Sequence, residues 1–143
     1  MTDAVRAEIQ SFYDRYIAAW NARDFGAVAD FHAEPALFMH STRSFSLPDR
    51  AAKMAMLEDL FVRLTDEGFS RSVYDTLTVR PSGEGMAIAD ARNIRRLRGD
   101  GSAIEVVDGH YVLRREGGLW RFTVTVLCAP GWQKQRSRAL YLA

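Results

Sequence analysis

The sequence predicts an α+β domain: three N-terminal helices packed on a curved antiparallel sheet. Two observations carry that expectation. Up to Gly68, apolar residues recur every three or four positions; beyond it they alternate in long runs. Those runs are cut by three segments of turn chemistry: Pro81-Ser82-Gly83-Glu84, Gly99-Asp100-Gly101-Ser102 and Glu116-Gly117-Gly118. At 143 residues the chain has the length of one domain, and we read 1–143 as a single unit with 130–143 as its tail.

Val5, Ile9, Phe12, Tyr13, Tyr16, Ile17 and Trp20 form one stripe of a helix over about 3–22. Asn21-Ala22-Arg23-Asp24 breaks the pattern, and Asp24 can cap a short second helix holding Phe25, Val28 and Phe31. Pro35 ends that helix, Ala36 to His40 reads as a short strand, and Ser41-Thr42-Arg43-Ser44 as its turn. A third helix follows, with Ser46 as cap, Pro48 in its first turn and Asp49 completing a box-like spacing. Its stripe is Met54, Leu57, Leu60, Phe61 and Leu64, and Gly68 terminates it. Four strands are expected near 69–80, 85–98, 103–115 and 119–129. Short connections make neighbours antiparallel, and strands this long twist and curve. A helix laid across the concave face leaves a pocket wherever side chains do not fill the gap.

Composition excludes several classes. Nineteen basic against 18 acidic residues give a net charge of +1, so nothing overall draws the chain to nucleic acid or an acidic membrane. No run reaches the ~18 apolar residues of a membrane helix. The first residues lack a basic start and apolar stretch, so the expected location is cytoplasmic. The single cysteine, Cys128, forms no internal disulfide and builds no zinc site alone; no base is marked near it, and a small buried apolar role is the simpler reading. His32, His40 and His110 have no metal-ligand spacing, and His32 reads as a surface group at a helix end. There is no Gly-rich phosphate loop and no nucleophile elbow, so no cofactor is expected. Arg92, Arg95, Arg96, Arg98, Arg114, Arg115 and Arg121 crowd three adjacent strands, as a basic patch for an anionic partner or as a solvated edge.

The order of elements resembles the nuclear transport factor 2-like superfamily, which includes ketosteroid isomerase and the polyketide cyclase-like (SnoaL-like) proteins. The likeness is carried by the aromatic first helix into Trp20-Asn21-Ala22-Arg23-Asp24 and by the segment from Phe25 to Glu34. His110-Tyr111-Val112-Leu113-Arg114-Arg115 and Gly118-Leu119-Trp120-Arg121-Phe122 complete it, over about residues 4–129. The resemblance implies a cone-shaped fold, a ligand pocket between helices and sheet, and a homodimer formed through the sheet's convex face. It implies little about chemistry, because the superfamily holds enzymes, binding modules and dimerisation domains.

Against ketosteroid isomerase, Arg15-Tyr16 stands five residues before Asn21 as the family's tyrosine does, so the resemblance gives Tyr16 the role of donating to a developing enolate oxygen. Without gaps, the family's aspartate base falls on His40 and its second acid near Gly109, beside Asp108. That departure argues against steroid isomerisation itself. His40 is a candidate base or a histidine bonded at a strand end; Tyr16 is a candidate donor or a satisfied core aromatic. Asp90 and Arg92 invite comparison with the acid–Arg–acid set of the superfamily's epoxide hydrolases, although the isomerase register turns them outward and Ala89, Ala91 and Asn93 inward. Tyr13, Trp20, Phe38, Phe61, Tyr111, Thr125 and Leu127 are expected to line the pocket, with Thr123, Thr125 and Leu127 on the inner face of their strand and Phe122, Val124 and Val126 on the outer. The expected ligand is small and apolar or of mixed polarity. The expected function is a cofactor-independent isomerase, dehydratase or cyclase, or alternatively a non-catalytic ligand-binding or dimerisation module. A third reading makes the tail around Trp132 and Tyr141 a docking segment for a partner.

Overall fold

A computed structural model describes residues 2–130. The tail expected to dock a partner lies outside the described residues. The elements run α1 (Thr2–Asn21), α2 (Phe25–Asp30), β1 (His32–His40), β2 (Arg43–Leu47), α3 (Arg50–Asp66), β3 (Phe69–Val73), β4 (Thr76–Pro81), β5 (Met86–Arg98), β6 (Ala103–Glu116) and β7 (Leu119–Cys128). The strands form one sheet in the order β2-β1-β7-β6-β5-β3, with β4 paired to β5. It is mixed rather than wholly antiparallel, because β1 runs parallel to β7. A helix and most of the chain's strands separate β1 from β7, so no short turn dictates their direction.

The helices follow the apolar stripes. Ile9, Phe12, Tyr13, Tyr16 and Trp20 of α1 are buried, as are Leu57, Phe61 and Leu64 of α3. The Asp24 carboxylate accepts from Ala27 N at the start of α2. Asp49, not Ser46, caps α3 by accepting from Ala52 N at 2.9 Å. Ser46 instead lies in β2, a strand that pairs with β1 through Phe38↔Phe45. The segment from Ser41 to Ser44 is therefore a tight turn plus the start of a second strand. Pro35 does not end α2; it lies inside β1, which already begins at His32.

Two of the sheet's register shifts bear on the site by reversing which residues face inward. Between Ala91 and Ile94 of β5 two residues stand opposite Asp108 of β6, and Asn93 takes a φ of +52°. A bulge bends the strand and reverses which parity faces inward. Ala87, Ala89 and Ala91 face the helices on one side of it, Ile94 and Arg96 on the other. The expected long strand over 69–80 breaks at the same level, where Asp75 N donates to Arg92 O and the Asp75 carboxylate accepts from Asn93 Nδ2 and Arg95. A second shift falls between Val112 and Leu113, opposite Thr123 of β7. Phe122 is consequently fully buried, contrary to the expected outer placement, while Thr123 donates to Val112 O. Thr125 and Leu127, beyond the shift, face inward.

The core lies between α1 and the concave face. The Phe122 ring meets Phe12 at 5.0 Å, Tyr16 at 4.8 Å and Tyr111 at 4.7 Å. Asn21 ties the end of α1 to β3, its Oδ1 accepting from Ser72 N at 2.7 Å and its Nδ2 donating to Ser72 O at 3.1 Å.

Candidate functional site

Between α1, α3 and the curved sheet lies a cavity of about 460 Å³, within the roughly 300–1,000 Å³ of small-molecule sites. Tyr13, Tyr16, Ile17 and Trp20 of α1 form one wall; Phe38 of β1 and Tyr111, Thr125 and Leu127 of the sheet form the opposite one. Of the expected lining residues, Phe61 is absent. It sits behind Trp20, stacked at 4.8 Å, and against Phe25 at 4.5 Å, so it supports the wall without reaching the space.

Polar groups punctuate the aromatic lining. Tyr13 and Tyr111 share a hydrogen bond of 2.9 Å between their hydroxyls. The Tyr111 ring folds back over Gly109, where a Cβ would stand 2.7 Å from the Tyr111 hydroxyl. A phenol thus fills the space of the side chain missing at Gly109, the position to which the resemblance assigned an acid. Asp108 is buried on the opposite side, where it accepts from Asn93 N at the bulge. Burial holds the Tyr16 phenol above the ordinary tyrosine range, opposed by Trp20 and the Arg96 charge. At neutral pH Tyr16 therefore carries its proton and is a donor.

His32 is not a surface group. It is 3% exposed, at the first position of β1, and its ring lies among Tyr16, Phe38 and Phe122 at 5.5, 5.1 and 5.2 Å. Burial, aided by the Lys53 charge, lowers its pKa to about 3, so the imidazole is neutral. Lys53, itself buried, donates to His32 O at 3.0 Å and pairs with Glu34 at 3.1 Å. Both His32 and Thr125 line the cavity, and His32 Nδ1 and Thr125 Oγ1 are buried polar atoms with no partner among the described residues.

At the other end, Arg96 and Glu105 are cross-strand partners paired at 2.9 Å, with Arg63 3.7 Å from the same carboxylate and the Arg96 guanidinium 5.1 Å from the Trp20 ring. His40 lies at the rim. It is exposed, and its Nδ1 is 3.2 Å from Thr42 Oγ1. His40 and Tyr16 border the same cavity, one at its mouth and one in its wall. Asp90 and Arg92 do not border it; Asp90 points to the outer face and holds His110. Among the described residues no group of His, Cys, Asp or Glu is placed to hold a metal ion.

Sequence patterning does not reveal His32, because β1 starts where the pattern suggests a helix end, nor Arg96, because the β5 bulge reverses the parity. The interrupted alternation Ala87, Ala89, Ala91, Ile94 is the signal that could have found the latter. Four of the seven strand arginines are paired with acids: Arg95 with Asp75, Arg96 with Glu105, Arg114 with Glu116 and Arg115 with Glu8.

A helix-covered, curved mixed sheet enclosing a cavity is the architecture of the nuclear transport factor 2-like proteins. The chain belongs to that superfamily: the family model described as NTF2-like protein (DUF6841) matches residues 7–130. Solved structures share the fold at low identity. Aln2 from a Streptomyces species is 20% identical over 96% of this chain and 98% of its own, with a TM-score of 0.73. An NTF2-like protein with a cystatin-like fold from Novosphingobium aromaticivorans is 20% identical over 87% and 80%, with a TM-score of 0.71. A Catenulispora acidiphila protein, solved in complex with S-DNPA, is 20% identical over 96% and 98%, with a TM-score of 0.72. The comparison with curated proteins gave no match.

Proposed function

We propose that this chain is a small-molecule pocket protein for a mostly apolar, ring-containing ligand that carries an uncharged hydroxyl or carbonyl group. The observation that carries the reading is the pair of partnerless buried atoms, His32 Nδ1 and Thr125 Oγ1, on two residues that line an aromatic cavity. Leaving such an atom unsatisfied costs about 1–3 kcal/mol, and a ligand oxygen would recover that cost. A charged group at this end would meet a neutral imidazole, with the nearby Lys53 charge already paired to Glu34. The complex of the Catenulispora acidiphila protein with S-DNPA supports ligand binding by this fold.

Acid–base chemistry fits the same cavity. Tyr16 would donate to an oxygen that gains negative charge, and His40 at the mouth would take or relay the proton, as isomerisation, dehydration or cyclisation requires. The exposure of His40 and its contact with Thr42 favour a second reading, binding without turnover. His40→Ala separates the two: lost turnover with retained binding supports the enzyme. A homodimer belongs to the proposal as well.

Native mass spectrometry of gently purified protein, repeated after denaturation, tests the reading. We expect extra mass on the folded protein that is released on unfolding. A bare protein that also takes up no added 2-naphthol would overturn it.

A further inference from the structure

The outer face of the sheet brings a thiol, an imidazole and a carboxylate into line. Asp90 on β5 and His110 on β6 are register partners, and Asp90 Oδ1 lies 2.6 Å from His110 Nδ1. Cys128, at the end of β7, pairs in register with Asp108, two residues before His110 and on its face. Its Sγ lies 3.4 Å from His110 Nε2. A carboxylate on Nδ1 keeps the proton there and leaves Nε2 as the acceptor, which is the arrangement that activates a nucleophile through a base held by a third group.

We propose that Cys128, His110 and Asp90 form a nucleophilic thiol site that adds to α,β-unsaturated carbonyl compounds. His110 Nε2 takes the thiol proton as Sγ bonds to the β-carbon. The double-bond electron pair moves toward the carbonyl as an enolate, and the proton passes from His110 to the α-carbon. No group leaves, and no oxidant or reductant is consumed. Cys128 is the nucleophile, His110 the base and Asp90 a positioning residue.

The surroundings make the base necessary. Burial and the facing charge of Asp108 on β6 raise the thiol's pKa, Arg92 on β5 opposes them, and Asp90 on β5 adds to the rise. The sulfur therefore rests as a thiol and needs His110 to become a nucleophile. A second acceptor, Asp108 O, lies 3.7 Å from Sγ. Cys128 also borders the mouth of the cavity beside Leu127 and Ala129. The thiol chemistry itself stands apart from the pocket reading, because a small electrophile needs no cavity.

N-ethylmaleimide, a conjugated imide, tests the site on the full chain. Cys128 is the only cysteine, so intact mass against time reports it alone. At pH 7 the wild type should react at least tenfold faster than a short cysteine peptide and than a folded His110→Gln variant. Asp90→Asn should fall several-fold below wild type and Asp90→Glu recover part of the loss. The wild-type rate should level off at a lower pH than that of His110→Gln. A folded His110→Gln that reacts at the wild-type rate overturns the proposal. So does a wild-type rate no greater than the peptide's, which decides the matter if the variant does not fold.

Discussion

Thr125 and His32 are the residues where stability and ligand binding pull apart. A buried hydroxyl without a partner destabilises the empty protein, so its removal by an isosteric side chain should not. Thr125→Val is expected to leave the unfolding free energy unchanged or raise it by up to about 1 kcal/mol, read from denaturant midpoints. A clear loss would mean that Oγ1 has a partner in the empty protein. His32 makes a pH signature. Its folded pKa, about 3, lies below the ordinary 6.5, so the unfolded chain binds the proton first. The stabilisation due to its neutral burial is complete above pH 6.5 and is lost as pH falls toward 3. The loss is about 1.4 kcal/mol per pH unit. His32→Phe, which suits the three surrounding rings, should remove that component. Parallel pH–stability curves for the two proteins would contradict this account. Gly109→Ala should cost about 1–3 kcal/mol, because its Cβ would meet the Tyr111 ring and push it off Tyr13. A loss below about 0.5 kcal/mol in the denaturation midpoint would show that the ring moves aside freely.

At the scale of elements, α1 and α3 were legible because each presents a single stripe of apolar residues to one core, and the Gly-rich turns marked β5, β6 and β7. The cap of α3 was legible only as a neighbourhood. Ser46 and Asp49 both suit an N-cap, and the pairing of β2 with β1 decides between them by drawing Ser46 into a strand. Asp49→Ala should therefore lower thermal stability by about 1 kcal/mol, and Ser46→Ala should not. Equal effects would contradict the assignment. What was not legible depends on long-range pairing. The parallel β1–β7 ladder joins segments far apart in the chain, the β7 bulge at Thr123 has no turn residue to announce it, and the β5 bulge has only a lone Asn93 inside a long strand. These features aim Arg96, Phe122 and Thr125, so the candidate site was readable as a set of aromatics around Tyr16 and not as the polar end at His32. The same pairing brings Asp90, His110 and Cys128 together from three strands.

At the scale of the molecule, the bulged sheet curls around α1 and leaves a space that its aromatics line without filling. Charge at the far end is held as Arg96–Glu105 with Arg63 beside it, and at the other end the cavity meets the neutral His32 ring, with the Lys53–Glu34 pair behind it. The cavity is thus graded, and it should select ligands by a neutral oxygen at the His32 end. The most direct measurement is titration calorimetry of 2-naphthol and naphthalene against the wild type and Thr125→Val. The account predicts that the wild type binds 2-naphthol about tenfold more tightly than naphthalene, about 1.4 kcal/mol, and that the variant loses most of that preference while still binding naphthalene. Equal affinity of the wild type for the two compounds, or a preference that survives in Thr125→Val and His32→Phe alike, would contradict it.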